Sequence, residues 1–129
     1  MVRRPCAATL EEVLSHTPIS LTGIVFPADK SGPVTASEID GSAGGVETLI
    51  DGLTEAVMLG ETLGLFVDAY GPSKGLPANP RATRFVDGYL PGFASREMLR
   101  GTAVVIGVDP VTGARVSVTP ADIEAALRA

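Results

Sequence analysis

Asn79, Arg81, Thr83 and Arg84 crowd into one stretch, Leu76-Pro77-Ala78-Asn79-Pro80-Arg81-Ala82-Thr83-Arg84. An amide, a hydroxyl and two guanidiniums at this density can hold a ligand through hydrogen bonds, an anionic one above all. Pro77 and Pro80 fix φ and reduce the entropy lost when the segment orders. The stretch can therefore act as a rigid platform that presents Asn79, Arg81 and Thr83. The same residues also have a purely structural reading, and it is the simpler one. Asn79 is a helix N-cap, Pro80 takes the first helical position, and a short helix follows through Arg81, Ala82, Arg84 and Phe85.

Two carboxylates, Glu55 and Asp68, fall in expected strands. The solvated face of a strand is their ordinary place. If buried they need a partner, and Arg81 or Arg84 is the obvious cation. Converging on Arg81, they would form an acid–base pair. Lys74, Arg81 and Arg84 together would instead suit the phosphates of a nucleotide signal.

Other chemistries are poorly served. The chain has 1 His and 1 Cys, which is too few for a zinc site, so no metal and no cofactor is expected. His16 reads as the cation at a helix C-terminus rather than as a catalytic base. Cys6 lies near Arg3 and Arg4, which would favour its thiolate, but a terminal thiol is ordinarily inert. Gly71-Pro72-Ser73-Lys74-Gly75 fails the phosphate-loop pattern, because its Lys precedes the second Gly. The glycines from Gly41 to Gly45 open a helix whose free N–H groups could hold an anion, though a flexible entry to the helix is the simpler reading.

Three helices and five strands would position these groups. The first helix begins at Thr9 with Glu12 closing a capping box, carries Leu10, Val13 and Leu14 on one stripe, and stops near His16 because Pro18 follows. The second sets Val46, Leu49, Ile50 and Leu53 on one face and ends near Gly52. The third opens at Thr119 with Pro120 and Asp122, and turns Ile123, Ala126 and Leu127 inward. Strands are expected at Ile19 to Phe26, Ala56 to Leu59, Thr62 to Tyr70, Thr102 to Val108 and Arg115 to Val118. Thr102 to Val108 is apolar on both faces and belongs in the middle of the sheet. Val116 and Val118 should face inward, after a hairpin turn over Asp109 to Gly113. Pro27 to Gly45 and Gly71 to Pro80 read as long loops. The pattern predicts an α+β fold: residues 1–18 as an N-terminal helical extension, then one domain over 19–129 with a mainly antiparallel four- or five-stranded sheet and about three short helices.

The chain has 129 residues, 45% of them hydrophobic, enough for one core. Net charge is −5 with 10 Lys and Arg spread along the chain, which gives no strong nucleic-acid signal. Mean hydropathy is +0.29, yet no apolar run approaches the ~20 residues of a membrane span. The N-terminus lacks the apolar stretch of a signal peptide, so a cytoplasmic location is expected.

Taken together, these residues resemble a small uncharacterised family, a domain of unknown function found in bacteriophages and other mobile elements, especially of actinobacteria. Its pattern is a helix ending in a Gly-Gly-like step, a strand with Glu, and an alternating strand ending in an acidic residue and Gly. Leu-Pro-x-Asn-x-x-Ala-Thr and a Gly-x-x-Val-Val-x-Gly strand follow. The corresponding residues here are Leu49-Ile50-Asp51-Gly52, Glu55, Val57, Leu65-Phe66-Val67-Asp68, Gly71, Leu76 to Thr83, and Gly101 to Gly107. The likeness covers roughly residues 19 to 123. Asp51 stands where such proteins more often have Gly. The resemblance implies a phage or prophage origin and expression in the host cytoplasm, without an established activity. Such accessory proteins often bind a host protein or a signalling molecule. The expectation is therefore a non-enzymatic accessory protein that binds a host factor. A nucleotide-signal sponge and a small enzyme using Glu55, Asp68 and Arg81 stand as alternatives. A small anionic ligand and a homodimer stay open, and Asn79, Arg81, Thr83, Arg84, Asp68 and Glu55 are the candidate binding residues.

Overall fold

The computed structural model describes residues 20–129, with Lys30 and Ser42 excepted. The helix expected from Thr9, with Cys6 and His16, lies outside the described residues. In chain order the elements are β1 (Ser20–Phe26), β2 (Thr35–Asp40), α1 (Ala43–Ile50), β3 (Thr54–Met58), β4 (Leu63–Asp68), α2 (Gly71–Lys74), α3 (Pro80–Tyr89), α4 (Phe93–Arg96), β5 (Ala103–Val108), β6 (Arg115–Val116) and α5 (Pro120–Arg128). The class is α+β, as the sequence leads one to expect.

The strands form one sheet in the order β2-β1-β5-β4-β3, with β6 added to β5 beyond the end of β1. Every pairing is antiparallel. β5 sits in the centre because both its faces are apolar. Val104 and Ile106 join one buried cluster, while Ala103 and Val105 join the other. This period of two divides the molecule into three layers. On one face, α3, α4 and α5 contribute Phe85, Val86, Phe93 and Ala126 to a core with Ile24, Phe26, Leu63 and Leu65. On the other face, α1 sets Val46 and Ile50 against Leu21, Ile39, Val104 and Ile106. The Phe26 and Phe85 rings pack tilted at 45° with 5.3 Å between their centres, and Tyr89 continues the row at 5.1 Å from Phe85.

Several local expectations are corrected. β2 lies within the stretch read as a loop from Pro27 to Gly45. It is a polar edge strand in which only Ile39 is buried, so alternation is hard to see. The stretch from Gly71 to Pro80 contains the short helix α2. The helix at Pro80 runs on to Tyr89, because Phe85 and Val86 extend its buried stripe. Leu49 and Leu53 do not share the inward face of Val46 and Ile50; Leu53 is 67% exposed. The α1 helix ends at Ile50, before its periodicity does, since Asp51 turns left-handed at φ 63°. Val118 is buried but Val116 and Leu127 are exposed. The cap of α5 forms as expected: Thr119 accepts from the Asp122 N–H at 3.2 Å, and the Asp122 carboxylate accepts from the Thr119 N–H at 3.0 Å.

Candidate functional site

The Leu76 to Thr83 stretch turns its polar groups into the protein. Asn79 is buried, and all of its side-chain amide is used. Its Oδ1 accepts from the Ala82 N–H at 3.2 Å, which is the expected N-cap. Its Nδ2 donates to the carbonyls of Phe26 and Gly101, each at 2.9 Å. One side chain thus ties the start of α3 to the end of β1 and to the entry of β5. Thr83 is buried one turn later. It donates to the Asn79 carbonyl at 2.8 Å and accepts from the Leu99 N–H at 3.0 Å. Its single proton is then spent, so the Met98 sulfur at 3.3 Å is a packing contact.

The backbone completes the fastening. The Asn79 N–H donates to Leu99 O at 2.7 Å and the Gly101 N–H to Pro77 O at 2.8 Å. Gly101 holds φ 84°, and a Cβ there would meet Leu76 Cδ1 at 2.9 Å. Residues 76–83 and 97–101 therefore form one rigid unit. Sequence reasoning found the cap but missed the two amide donors, because the carbonyls they satisfy are distant in the chain.

The cations go to separate places. Arg81 donates to the carbonyls of Pro27 and Asp29, each at 3.3 Å, and closes the loop after β1. Ser31 bonds and the nearby Arg81 charge hold the Asp29 carboxyl below its ordinary value. Arg84 is exposed and shares a hollow of about 250 Å³ with Tyr89 and Arg128. The Tyr89 hydroxyl is pushed above its ordinary value by burial and by the Asp122 carboxylate. Lys74 donates to Asp68 Oδ2 at 2.7 Å, and the Tyr70 N–H donates to Oδ1 at 2.8 Å. Both bonds favour the charged carboxylate and hold its pKa below the ordinary value. Gly52 lies directly over this pair; a Cβ there would approach Asp68 Oδ2 to 2.6 Å.

Glu55 and Asp68 do line one groove, of about 120 Å³, between the β3–β4 end of the sheet and residues 97–100. Val67 and Leu99 form its buried floor, and Glu55, Glu97, Met98 and Arg100 its exposed rim. Arg81 is not among its lining; Arg100 is the guanidinium there. Arg100 also donates to the Leu76 carbonyl at 3.2 Å, so the fastened unit sets its position. Asp68 reaches the groove with both oxygens already bonded.

Residues 21–129 match the family described as Domain of unknown function (DUF3846). The chain belongs to this family. Apart from Ser20 at the start of β1, the match takes in every described strand and helix, and it includes the fastened unit and the groove. No curated protein and no solved structure matches the chain. Among the described residues of this DUF3846 domain, no group of three or more His, Cys, Asp or Glu is placed to hold a metal ion. No helix among them is long and apolar enough to cross a membrane.

Proposed function

We propose that this DUF3846 domain is a non-enzymatic accessory protein of a bacteriophage or mobile element, which binds a host protein in the cytoplasm of an actinobacterial cell. The observation that carries the reading is the division of labour around residues 76–101. The polar groups of the Leu-Pro-x-Asn stretch are consumed inside, where they hold the Glu97 to Arg100 segment in place. That segment then offers Met98, 44% exposed, between Glu97 and Arg100 at the groove rim. Tyr70, 53% exposed, follows groove residue Ala69. Exposed Met, Tyr and Arg beside a small buried floor suit a protein partner, since these types are enriched where proteins meet.

The acid–base reading has less support. A general acid or base works best with a pKa near the operating pH. Lys74 and Tyr70 hold Asp68 below its ordinary carboxylate value, which moves it away from neutral pH. The nucleotide sponge also has less support, because Lys74, Arg81 and Arg84 each serve a different neighbourhood. The test is capture from host lysate alongside a thermal-shift panel of nucleotides. The proposal predicts a discrete captured protein and no nucleotide that raises Tm. A specific nucleotide stabiliser with no captured protein would overturn it in favour of the sponge.

A further inference from the structure

Among the described residues, β3 is one of the two edges of the sheet, and its open side is self-complementary. The Ala69 N–H donates to Leu53 O at 2.8 Å and the Leu59 N–H to Leu63 O at 2.9 Å. With Glu55 opposite Val67 and Val57 opposite Leu65, these bonds set the phase of the ladder. Leu53, Glu55, Val57 and Leu59 direct their backbone groups at β4. Thr54, Ala56 and Met58 therefore direct theirs outward, with no backbone partner among the described residues. Exposed Leu53 and Met58 flank this open ladder, and Ala56 is exposed at its centre. An edge of this kind is a template for another strand.

We propose that the β3 edge pairs with the same edge of a second copy of this chain, antiparallel, about a two-fold axis at Ala56. In that register Ala56 faces Ala56, and Thr54 faces the second copy's Met58. All outward N–H and C=O groups of the three residues are then bonded. Glu55, the single charge of the strand, faces Val57 of the second copy, so like charges are not set opposite each other. Leu53 faces the second copy's Leu59 and gains apolar cover.

The other edge lacks this fit. The Thr22 N–H donates to Ser117 Oγ and the Thr22 carbonyl accepts from the Val118 N–H, so both face away from β2. Glu38, which stands opposite Thr22, directs its backbone outward. The equivalent full-length pairing there would centre on Glu38 and set two carboxylates against each other. Joining β3 of one copy to β2 of the next would give an open chain rather than a closed pair. The dimer stands whether or not the groove binds a host protein. It would carry two Glu55-lined grooves on one face of a continuous sheet.

A five-residue strand spans about 17 Å, a small contact, so the dimer dissociates on dilution. Sedimentation of the full chain from about 1 µM to about 1 mM should show the mass rising from one chain to two. Ala56→Pro removes no bond to β4, because the Ala56 N–H points outward, and it should stay at the mass of one chain throughout. Ala56→Lys and Ala56→Glu should each be monomeric, while their equimolar mixture restores the dimer. Amide exchange at Ala56 should slow only at high concentration. A wild type with the mass of one chain at every concentration would overturn the proposal. So would a dimer that survives Ala56→Lys, or an Ala56 amide protected even on dilution, which would mean that the chain covers its own edge.

Discussion

At the scale of single residues, Asn79 carries the most structural weight for its size. A capping role alone would let Asp replace it, since Asp caps as well as Asn. The two amide donations to Phe26 O and Gly101 O change that expectation. Asp has no donor to offer and would set a charge against two buried carbonyls. Asn79→Asp should therefore destabilise at least as much as Asn79→Ala, by about 3 kcal/mol or more, read from urea unfolding. A tolerated Asp would mean that the carbonyls are not held by this amide. Asp51 gives a prediction of the opposite sign. It is the one described non-glycine residue at positive φ, 63°, just past the end of α1. Asp51→Gly should raise stability by up to about 1 kcal/mol, as an increase in the urea midpoint, because glycine occupies that region without strain. Asp68 ties the residue scale to pH. Its folded-state pKa is depressed, so its stabilisation is complete above the ordinary value of 3.8 and is lost as pH falls through the folded value. The stability gap between wild type and Asp68→Asn should be full near about pH 6 and close toward about pH 2. A gap that stays constant with pH would break the assignment of the Lys74 pair.

Among the elements, those with two independent signals were legible in the sequence. α5 combines Thr119, Pro120 and Asp122 at its start with an inward Ala126, and it forms where that chemistry places it. The central position of β5 follows from its unbroken apolar run. β2 was hidden because an edge strand needs few buried residues, and Thr35-Ala36-Ser37-Glu38 is as polar as a loop. α1 was legible in existence and not in facing: one buried turn, Val46 to Ile50, cannot distinguish Leu49 from its neighbours by periodicity alone. The groove was only half legible. Glu55 and Asp68 were named, but Glu97, Met98 and Arg100 carry no local pattern and come to the site through contacts with Leu76 and Thr83. Element-scale stability should follow the caps. Thr119→Ala should cost about 1 kcal/mol, seen as faster amide exchange confined to residues 120–128, because α5 buries only Ala126 fully. Loss spread over β5 as well would show that α5 and the sheet open as one unit.

For the whole molecule, the fold separates support from presentation. Helices on both faces bury the centre of the sheet, and among the described residues the outer sides of its two edge strands and the rim of the groove stay uncovered. The buried amide and hydroxyl of Asn79 and Thr83 fasten residues 97–101, and under the proposed function the side chains left outside are the ones that a partner would meet. If this division is right, binding and stability are separable by mutation. The most direct measurement is the affinity of the captured host protein for wild type, Met98→Glu and Arg100→Glu, with Tm recorded for each. The account predicts that both groove variants weaken binding at least tenfold, about 1.4 kcal/mol or more, with Tm close to wild type. Unchanged affinity in both variants, or affinity that falls only in step with Tm, would contradict it.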